Sequence, residues 1–260
     1  MNKILSKEHF SANVVKLVVE APLIAKSRRA GHFVIVRCGE HGERIPLTIA
    51  DADIDAGTIT LVVQAVGDST KKICALEPGD YLTDVVGPLG QATHIEKVGT
   101  VVCCGGGVGV APLLPIIKAM KAAGNRVVSV LAGRTRELVI LEEQVRQYSD
   151  EVVIMTDDGS YGKKGLITAG VEEVILREKV DQVVTIGPAI MMKFVALLTK
   201  KYEIPTVCSL NTVMVDGTGM CGACRITVGG QTKFVCIDGP EIDAHQVNFD
   251  EMLLRLKAYN

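Results

Sequence analysis

The chain has 260 residues, 28 Lys plus Arg against 30 Asp plus Glu, a formal net charge of -2, and 48% hydrophobic residues. That length holds one to two domains with a sizeable core, and the composition excludes disordered, collagen-like and small disulfide-stapled classes. The near-neutral balance, with 4% aromatics and no Trp, lacks the basic footprint and stacking platforms of a nucleic-acid binder.

The opening stretch from Met1 to Phe10 has no apolar core of signal-peptide length, so a cytoplasmic location is expected. Short β-branched runs follow at Val14 to Val19, His32 to Arg37, Thr58 to Val66 and Tyr81 to Val86, the last ahead of the turn Gly87-Pro88-Leu89-Gly90. Several strands at short spacing, bounded by Gly, Pro and Asp, predict an antiparallel barrel or sandwich. Within this lobe lies Arg44-Ile45-Pro46-Leu47-Thr48, where Arg can clamp a phosphate and a Thr hydroxyl can bond a flavin edge. A plain strand is the competing reading. Asp51-Ala52-Asp53-Ile54-Asp55 looks like the start of a calcium loop, but Ala56 and Val62 stand where such a loop needs Gly and Glu, so a hairpin turn is predicted. Gly67-Asp68-Ser69-Thr70 opens a helix, either as a plain cap or with donors suited to phosphate.

From about Val98 the rhythm becomes buried strand, turn, helix. The uncharged stretch Val98 to Ile117 is interrupted by Gly and Pro in this grammar, so it is not a membrane span. Val101 to Cys104 precedes a helical stretch from Ala111 to Ala123, and Val127 to Ala132 leads to a helix near Leu141 to Tyr148. Val152 to Thr156 and Val183 to Ile186 repeat the pattern, which predicts a parallel sheet covered by helices. Gly105, Gly106, Gly107, Val108, Gly109, Ala111 and Pro112 join the first of these strands to its helix. Glycines there admit a pyrophosphate to the backbone, and the helix start supplies N–H donors. The run lacks the third Gly of GxGxxG, and a tight turn without ligand is the alternative. Gly133-Arg134-Thr135, Asp157-Asp158-Gly159-Ser160-Tyr161-Gly162 and Gly187-Pro188 follow the other strands. Each could be an ordinary loop, but turns at the carboxyl ends of parallel strands converge on one crevice.

After Pro205 comes a compact Gly- and Cys-containing segment, then a final helix around Phe249 to Lys257. Asp216-Gly217-Thr218-Gly219-Met220-Cys221-Gly222-Ala223-Cys224 is followed by Cys236 after eleven residues. The spacing mirrors the plant-type Cys-x4-Cys-x2-Cys...Cys pattern with Asp in the first place, and its small residues allow close backbone approach and N–H bonds to sulfides. A 2Fe-2S cluster is the favoured ligand. Structural zinc and a redox or buried CxxC pair are the alternatives. Asp216 fits the frame as fourth ligand, and Cys208, thirteen residues before Cys221, is its competitor. An Asp ligand places hard oxygen where sulfur would sit, which changes the cluster's electronics. Three lobes are expected: 1–97, 98–205 and 206–260.

Taken together, Arg44 to Thr48, Gly105 to Pro112, Asp157 to Gly162, Gly187-Pro188 and the C-terminal Cys set resemble the ferredoxin-reductase-type flavoproteins that carry an added 2Fe-2S lobe. Two relatives within that group compete. The electron-transfer subunit of dihydroorotate dehydrogenase has Cys in all four ligand places. The small subunit of the NADH-dependent ferredoxin:NADP oxidoreductase, also described as sulfide dehydrogenase, is the better match to Cys208 through Cys221 and Asp238 through His245. The resemblance implies an α/β plus all-β fold: an N-terminal antiparallel barrel for FAD, a central parallel-sheet NAD-binding domain and a small cluster lobe. It implies Arg44 near the FAD phosphates, Thr48 near the isoalloxazine, and Ser69 and Thr70 near the pyrophosphate. NAD(H) is implied on Gly105 to Pro112, Arg134, the Asp157-Asp158 turn and Gly187-Pro188. Electrons then run from NADH through FAD and 2Fe-2S to a larger flavin and iron-sulfur subunit that handles NADP and ferredoxin, with bifurcation as one mode. This is cofactor chemistry, in which the fold positions and shields.

Overall fold

The computed structural model describes residues 1–258. Strands β1 (Asn2–Ser11), β2 (Val14–Glu20), β3 (Phe33–Arg37), β4 (Arg44–Asp53), β5 (Thr58–Gln64), β6 (Tyr81–Leu82) and β7 (Asp84–Leu89) form one antiparallel sheet in the order β6-β1-β2-β5-β4-β3-β7, curled into a near-closed barrel. Helices α1 (Pro22–Ser27) and α2 (Asp68–Cys74) belong to the same part of the chain. Alternate residues point inward: Val15, Leu17 and Val19 from β2, Val34 and Val36 from β3, and Ile59, Leu61 and Val63 from β5 share one core. Ile45 and Leu47 pack against that core. The two-residue period therefore turns Arg44, Pro46 and Thr48 to the opposite face of β4.

The hairpin predicted after Asp51 forms, with Asp53 opposite Thr58 and Gly57 at φ +66°. One strand reading needs correction, and one strand is not anticipated by the sequence. The single strand Tyr81 to Val86 is two, because Thr83 breaks the run between β6 and β7, and β7 continues through Gly87-Pro88 to Leu89. The opening residues form the ten-residue strand β1, whose polar side chains conceal it from pattern reading because Ile4 alone is fully buried.

The second sheet is built from β8 (Thr100–Gly106), β9 (Arg126–Gly133), β10 (Glu151–Thr156), β11 (Lys163–Lys164), β12 (Gln182–Ile186), β13 (Thr206–Ser209) and β16 (Glu241–Asp243), in the order β11-β10-β9-β8-β12-β13-β16. All neighbours are parallel except the pair β13 and β16. Between those two come the hairpin β14 (Arg225–Val228) and β15 (Gln231–Phe234) and the short α7 (Val235–Asp238). Helices α3 (Val110–Ala122), α4 (Glu142–Tyr148), α5 (Ile167–Arg177), α6 (Ala189–Lys201) and α8 (Phe249–Lys257) belong to the same part of the molecule as the second sheet. Val101, Val102, Cys103 and Cys104 in β8 are all fully buried, as expected of a strand covered on both faces.

The chain divides into two compact units. Unit 1 comprises Met1–Thr93, Asn211–Arg225 and Phe234–Pro240; unit 2 comprises His94–Leu210, Ile226–Lys233 and Glu241–Asn260. Residues 206–260 are thus shared between the two. Among the described residues, no helix is long and apolar enough to cross a membrane.

Leu61 is fully buried in the barrel core. Leu61→Ala is expected to destabilise unit 1 by about 2–5 kcal/mol through lost burial and the cavity left behind; chemical denaturation of wild type and variant measures it.

Candidate functional site

The segment from Asp216 to Cys224 wraps around a carboxylate. Asp216 Oδ1 accepts from the Thr218 amide at 3.0 Å, and Oδ2 accepts from the Met220 and Cys221 amides at 3.0 and 2.9 Å. Desolvation pushes this carboxyl up, but the Thr218, Cys221 and Met220 bonds outweigh it and hold Asp216 below its ordinary value. It is an anion at neutral pH. Gly217 has φ +75°, and a Cβ there would lie 2.7 Å from Leu89 Cδ1 and 2.9 Å from Ile35 Cγ1. Glycine is needed twice over, for the left-handed backbone and for seating the loop on β3 and β7.

Cys224 and Cys236 are buried, with their sulfurs 3.2 Å apart, and Cys221 is exposed. Burial first, and then the neighbouring Cys224, push the Cys236 thiol up to about 12, while the Gly219 amide bonds its sulfur. A thiol so placed loses its proton when metal binds. Among the described residues, no three His, Cys, Asp or Glu side chains are already gathered as a metal site. The Cys224 and Cys236 sulfurs stand together, and Cys221 meets Asp216 through its backbone amide. Their chemistry fits a 2Fe-2S cluster: three soft sulfurs, one anionic oxygen and a backbone amide already aimed at sulfur. Cys208 belongs to unit 2, where it is fully buried in β13 with its thiol donating to the Ile242 carbonyl at 3.5 Å. Burial raises that thiol's pKa strongly.

In unit 2 the glycine-rich turn after β8 is packed against the turn after β12. A Cβ on Gly109 would stand 2.5 Å from the Ile186 carbonyl oxygen and 2.8 Å from Gly187 Cα, and one on Gly106 would strike Met191 Sδ. Gly105 is closed in by Leu113 and Val110. Internal packing therefore accounts for three of the four glycines. Gly107 differs: it has φ +55° and nothing within 4 Å of its Cβ position. Val108 lies between Gly107 and Gly109 in a short 3-10 turn, and Ala111 and Pro112 fall in the first turn of α3.

The turns after β9 and β10 are also tied together. The Asp157 amide donates to Gly133 O at 3.1 Å, the Asp158 amide to Arg134 O at 3.3 Å, and the Arg136 amide to Ser160 Oγ at 3.0 Å. Gly159 takes φ +79° in this turn. Asp158 accepts from both the amide and hydroxyl of Ser160, which hold its carboxyl below the ordinary range. Because β8 lies between β9 and β12 in register, all four predicted turns line one carboxyl edge of the sheet. Three neighbours not singled out from sequence join them: Arg136 stacks over Tyr161 at 5.1 Å, Tyr161 donates to Glu142 at 2.9 Å, and Glu137 accepts from Thr135 at 2.6 Å. Only the continuation of the Gly133-Arg134-Thr135 turn into Arg136-Glu137 hinted at them.

In unit 1, Thr70 Oγ1 accepts from the Val66 and Gly67 amides at 2.9 Å and starts α2, whose first residue is Asp68. Ser69 donates to Glu43. Arg44 Nε donates to the Val215 carbonyl at 3.0 Å, a contact with the Asp216 loop that no local pattern signals. Thr212, 8% exposed, carries a buried hydroxyl with no partner among the described residues.

Two family models match this chain: the iron-sulfur cluster binding domain of dihydroorotate dehydrogenase B over residues 211–248, and the oxidoreductase NAD-binding domain over residues 103–197. A Thermotoga maritima protein named as a dihydroorotate dehydrogenase B (NAD(+)) electron transfer subunit homolog is 45% identical over 259 residues, covering 100% of this chain and 92% of that one. The electron transfer subunit of that enzyme from Desulforamulus reducens is 31% identical, covering 94% of this chain and 96% of its own. The chain belongs to the dihydroorotate dehydrogenase B electron-transfer-subunit family. A solved structure of NADH-dependent reduced ferredoxin-NADP oxidoreductase, described in relation to flavin-based electron bifurcation, superposes on this member with a TM-score of 0.96 at 43% identity, covering 100% of this chain and 94% of that one. The cytochrome b5 reductase domain of Ulva prolifera nitrate reductase, 18% identical with a TM-score of 0.63 over 78% of this chain and 92% of its own, shares the fold.

This family member is thus an oxidoreductase of ferredoxin-reductase type, with an iron-sulfur segment that includes Asp216, Cys221, Cys224 and Cys236 and an NAD-binding domain that includes the turns after β8, β9, β10 and β12. The iron-sulfur match decides against the zinc and bare CxxC alternatives.

Gly107 and Gly109 separate ligand from packing. Gly109→Ala drives a methyl into the Ile186 carbonyl and is expected to lower unfolding stability by roughly 1–3 kcal/mol whether or not nucleotide is present. Gly107→Ala meets open space and costs about 1 kcal/mol of left-handed backbone strain, so its larger effect is expected in the NADH dissociation constant. Thermal melts with and without NADH distinguish the two.

Proposed function

We propose that this protein is the small subunit of an NADH-dependent ferredoxin:NADP oxidoreductase, passing electrons between NAD(H), FAD and a 2Fe-2S cluster to a larger flavin and iron-sulfur subunit. The observation that carries the reading is the carboxylate at the first ligand position, on a chain that superposes over its whole length on the ferredoxin-NADP oxidoreductase structure. The cluster ligands would be Asp216, Cys221, Cys224 and Cys236. The FAD would lie against Pro46, Thr48 and the main chain of Leu47, with its phosphates toward Gly67, Asp68, Ser69 and Thr70. NAD(H) would take the carboxyl edge of unit 2: Gly105 to Gly109, Ala111 and Pro112, Gly133 and Arg134, Asp157 to Gly159, and Gly187-Pro188.

When bound, the flavin supplies the exchange between a two-electron hydride donor and a one-electron acceptor. The chain's own residues bind, orient and shield. Thr48, half-buried on the outward face of β4, offers a hydroxyl to a flavin edge. Gly187 and Pro188, against the glycine turn, shape the nicotinamide end of the crevice. Asp216 brings its negative charge already desolvated in part and held by three amides. Electron delivery rather than acid-base catalysis is the work of such a subunit, which suits a site poor in His.

A second reading, the electron-transfer subunit of dihydroorotate dehydrogenase, draws support from the names of the curated relatives. Anaerobic purification of the native complex distinguishes the two: the proposed reading expects a larger flavin and iron-sulfur partner, the second a dihydroorotate-oxidising one. Asp216→Cys is expected to retain iron and sulfide while shifting the paramagnetic resonance spectrum and midpoint potential of the dithionite-reduced protein. An unchanged signal would remove Asp216 from the ligand set, and absence of iron and acid-labile sulfide after anaerobic reconstitution would remove the cluster.

A further inference from the structure

We propose that Arg44 is a positioning residue for the iron-sulfur loop, pinning it to the barrel and setting a fixed positive charge beside it, rather than a clamp for flavin phosphate. The inference rests on the cluster reading above. Its starting point is the bond from Arg44 Nε to the carbonyl of Val215, the residue immediately before Asp216, at 3.0 Å. The contact spans 171 residues of sequence, so only tertiary structure creates it.

Four further observations bear on it. Ile45 and Leu47 face the barrel core, which sends Arg44 outward, to the face where Gly217 is pressed onto Ile35 and Leu89. Ile35 is the register partner of Pro46 and Arg37 of Arg44, so the loop and the guanidinium lie over the same pair of strands. The neighbouring Arg37 is already neutralised by Asp84 at 2.6 Å, whereas no carboxylate pairs with Arg44 among the described residues. Finally, it is Glu43 that reaches Ser69 at the start of α2. Arg44 itself bonds the loop carbonyl at Val215 and neither Ser69 nor Thr70, the hydroxyls to which the flavin phosphates are assigned.

Adding an electron makes a cluster more negative, and a nearby fixed cation favours that state. Arg44 thus raises the cluster's midpoint potential and limits the motion of its first ligand. The test uses the holoenzyme complex purified anaerobically, with Arg44→Gln and Arg44→Lys variants, and measures FAD, iron and sulfide per chain, resonance spectra of the dithionite-reduced protein, potentiometric titration of the cluster, and the rate of iron loss to a chelator. The expected result for Arg44→Gln is unchanged FAD content, a lower midpoint potential, a broadened cluster signal and severalfold faster iron loss. Arg44→Lys, which keeps the charge and a donor, is expected to restore most of the potential. Loss of FAD in both variants with spectrum and potential as in wild type would overturn the proposal in favour of a phosphate clamp. Wild-type FAD, spectrum and potential in both would overturn it outright. Absence of a 2Fe-2S signal in the wild-type complex is a separate result, which removes the cluster reading itself.

Discussion

The two-residue period of β3 and β4 is the constraint on which unit 1 depends. One set of side chains, Val34, Val36, Ile45 and Leu47, closes the barrel core; the other set, Ile35, Arg37, Arg44, Pro46 and Thr48, is left over for a second task. A single-residue slip in register would exchange the two sets and abolish both functions of these strands. The Asp216 loop uses the second set directly. Gly217 rests on Ile35 and Leu89, and Val215 accepts from Arg44. A segment more than 120 residues downstream of β7 is thereby built into the barrel unit, and this unit carries both the candidate flavin residues and all four candidate cluster ligands.

Unit 2 solves a different problem, how to leave one edge of a buried sheet accessible. Its parallel strands are apolar on both faces, so polar chemistry is confined to the turns at their ends. Those turns are held by each other: the glycine turn by Ile186 and Gly187, the Gly133 turn by Asp157 and Asp158. Packing consumes most of the glycines, and the one facing open space, Gly107, is the position where a ligand has room to approach. The same edge also carries the carboxylates Glu137 and Asp158, both held below the ordinary range by hydroxyl and amide donors, so the crevice combines amides and fixed negative charge with Arg134 and Arg136.

Three thiols and a carboxylate could serve many purposes, and their surroundings select one. The buried Cys224–Cys236 pair, the exposed Cys221 and the amide-held Asp216 come from two short segments that the fold joins. Cys208, a fourth thiol of the same chemistry, is buried in β13, where it donates to the Ile242 carbonyl. Burial does not separate Cys208 from Cys224 and Cys236, which are buried too; what differs is that Cys208 is built into a strand of unit 2, whereas the other two lie in the segments assigned to unit 1.

By itself, the sequence determined the two architectures, since strand alternation and the strand-turn-helix rhythm are local patterns. It also offered Asp216, Cys221, Cys224 and Cys236 as candidate ligands, because they carry their spacing in the chain, and it placed the four turns of unit 2. It missed β1, whose outward polar residues hide its period, and it could not divide residues 206–260 between two units. Only the tertiary structure decided that Arg44 meets Val215, that Glu43 meets Ser69, that Cys208 is shut in a sheet and that Gly109 is there for packing while Gly107 is not. These are contacts between residues distant in sequence, and no local propensity encodes them; they exist only once sheet register has fixed which face each side chain occupies.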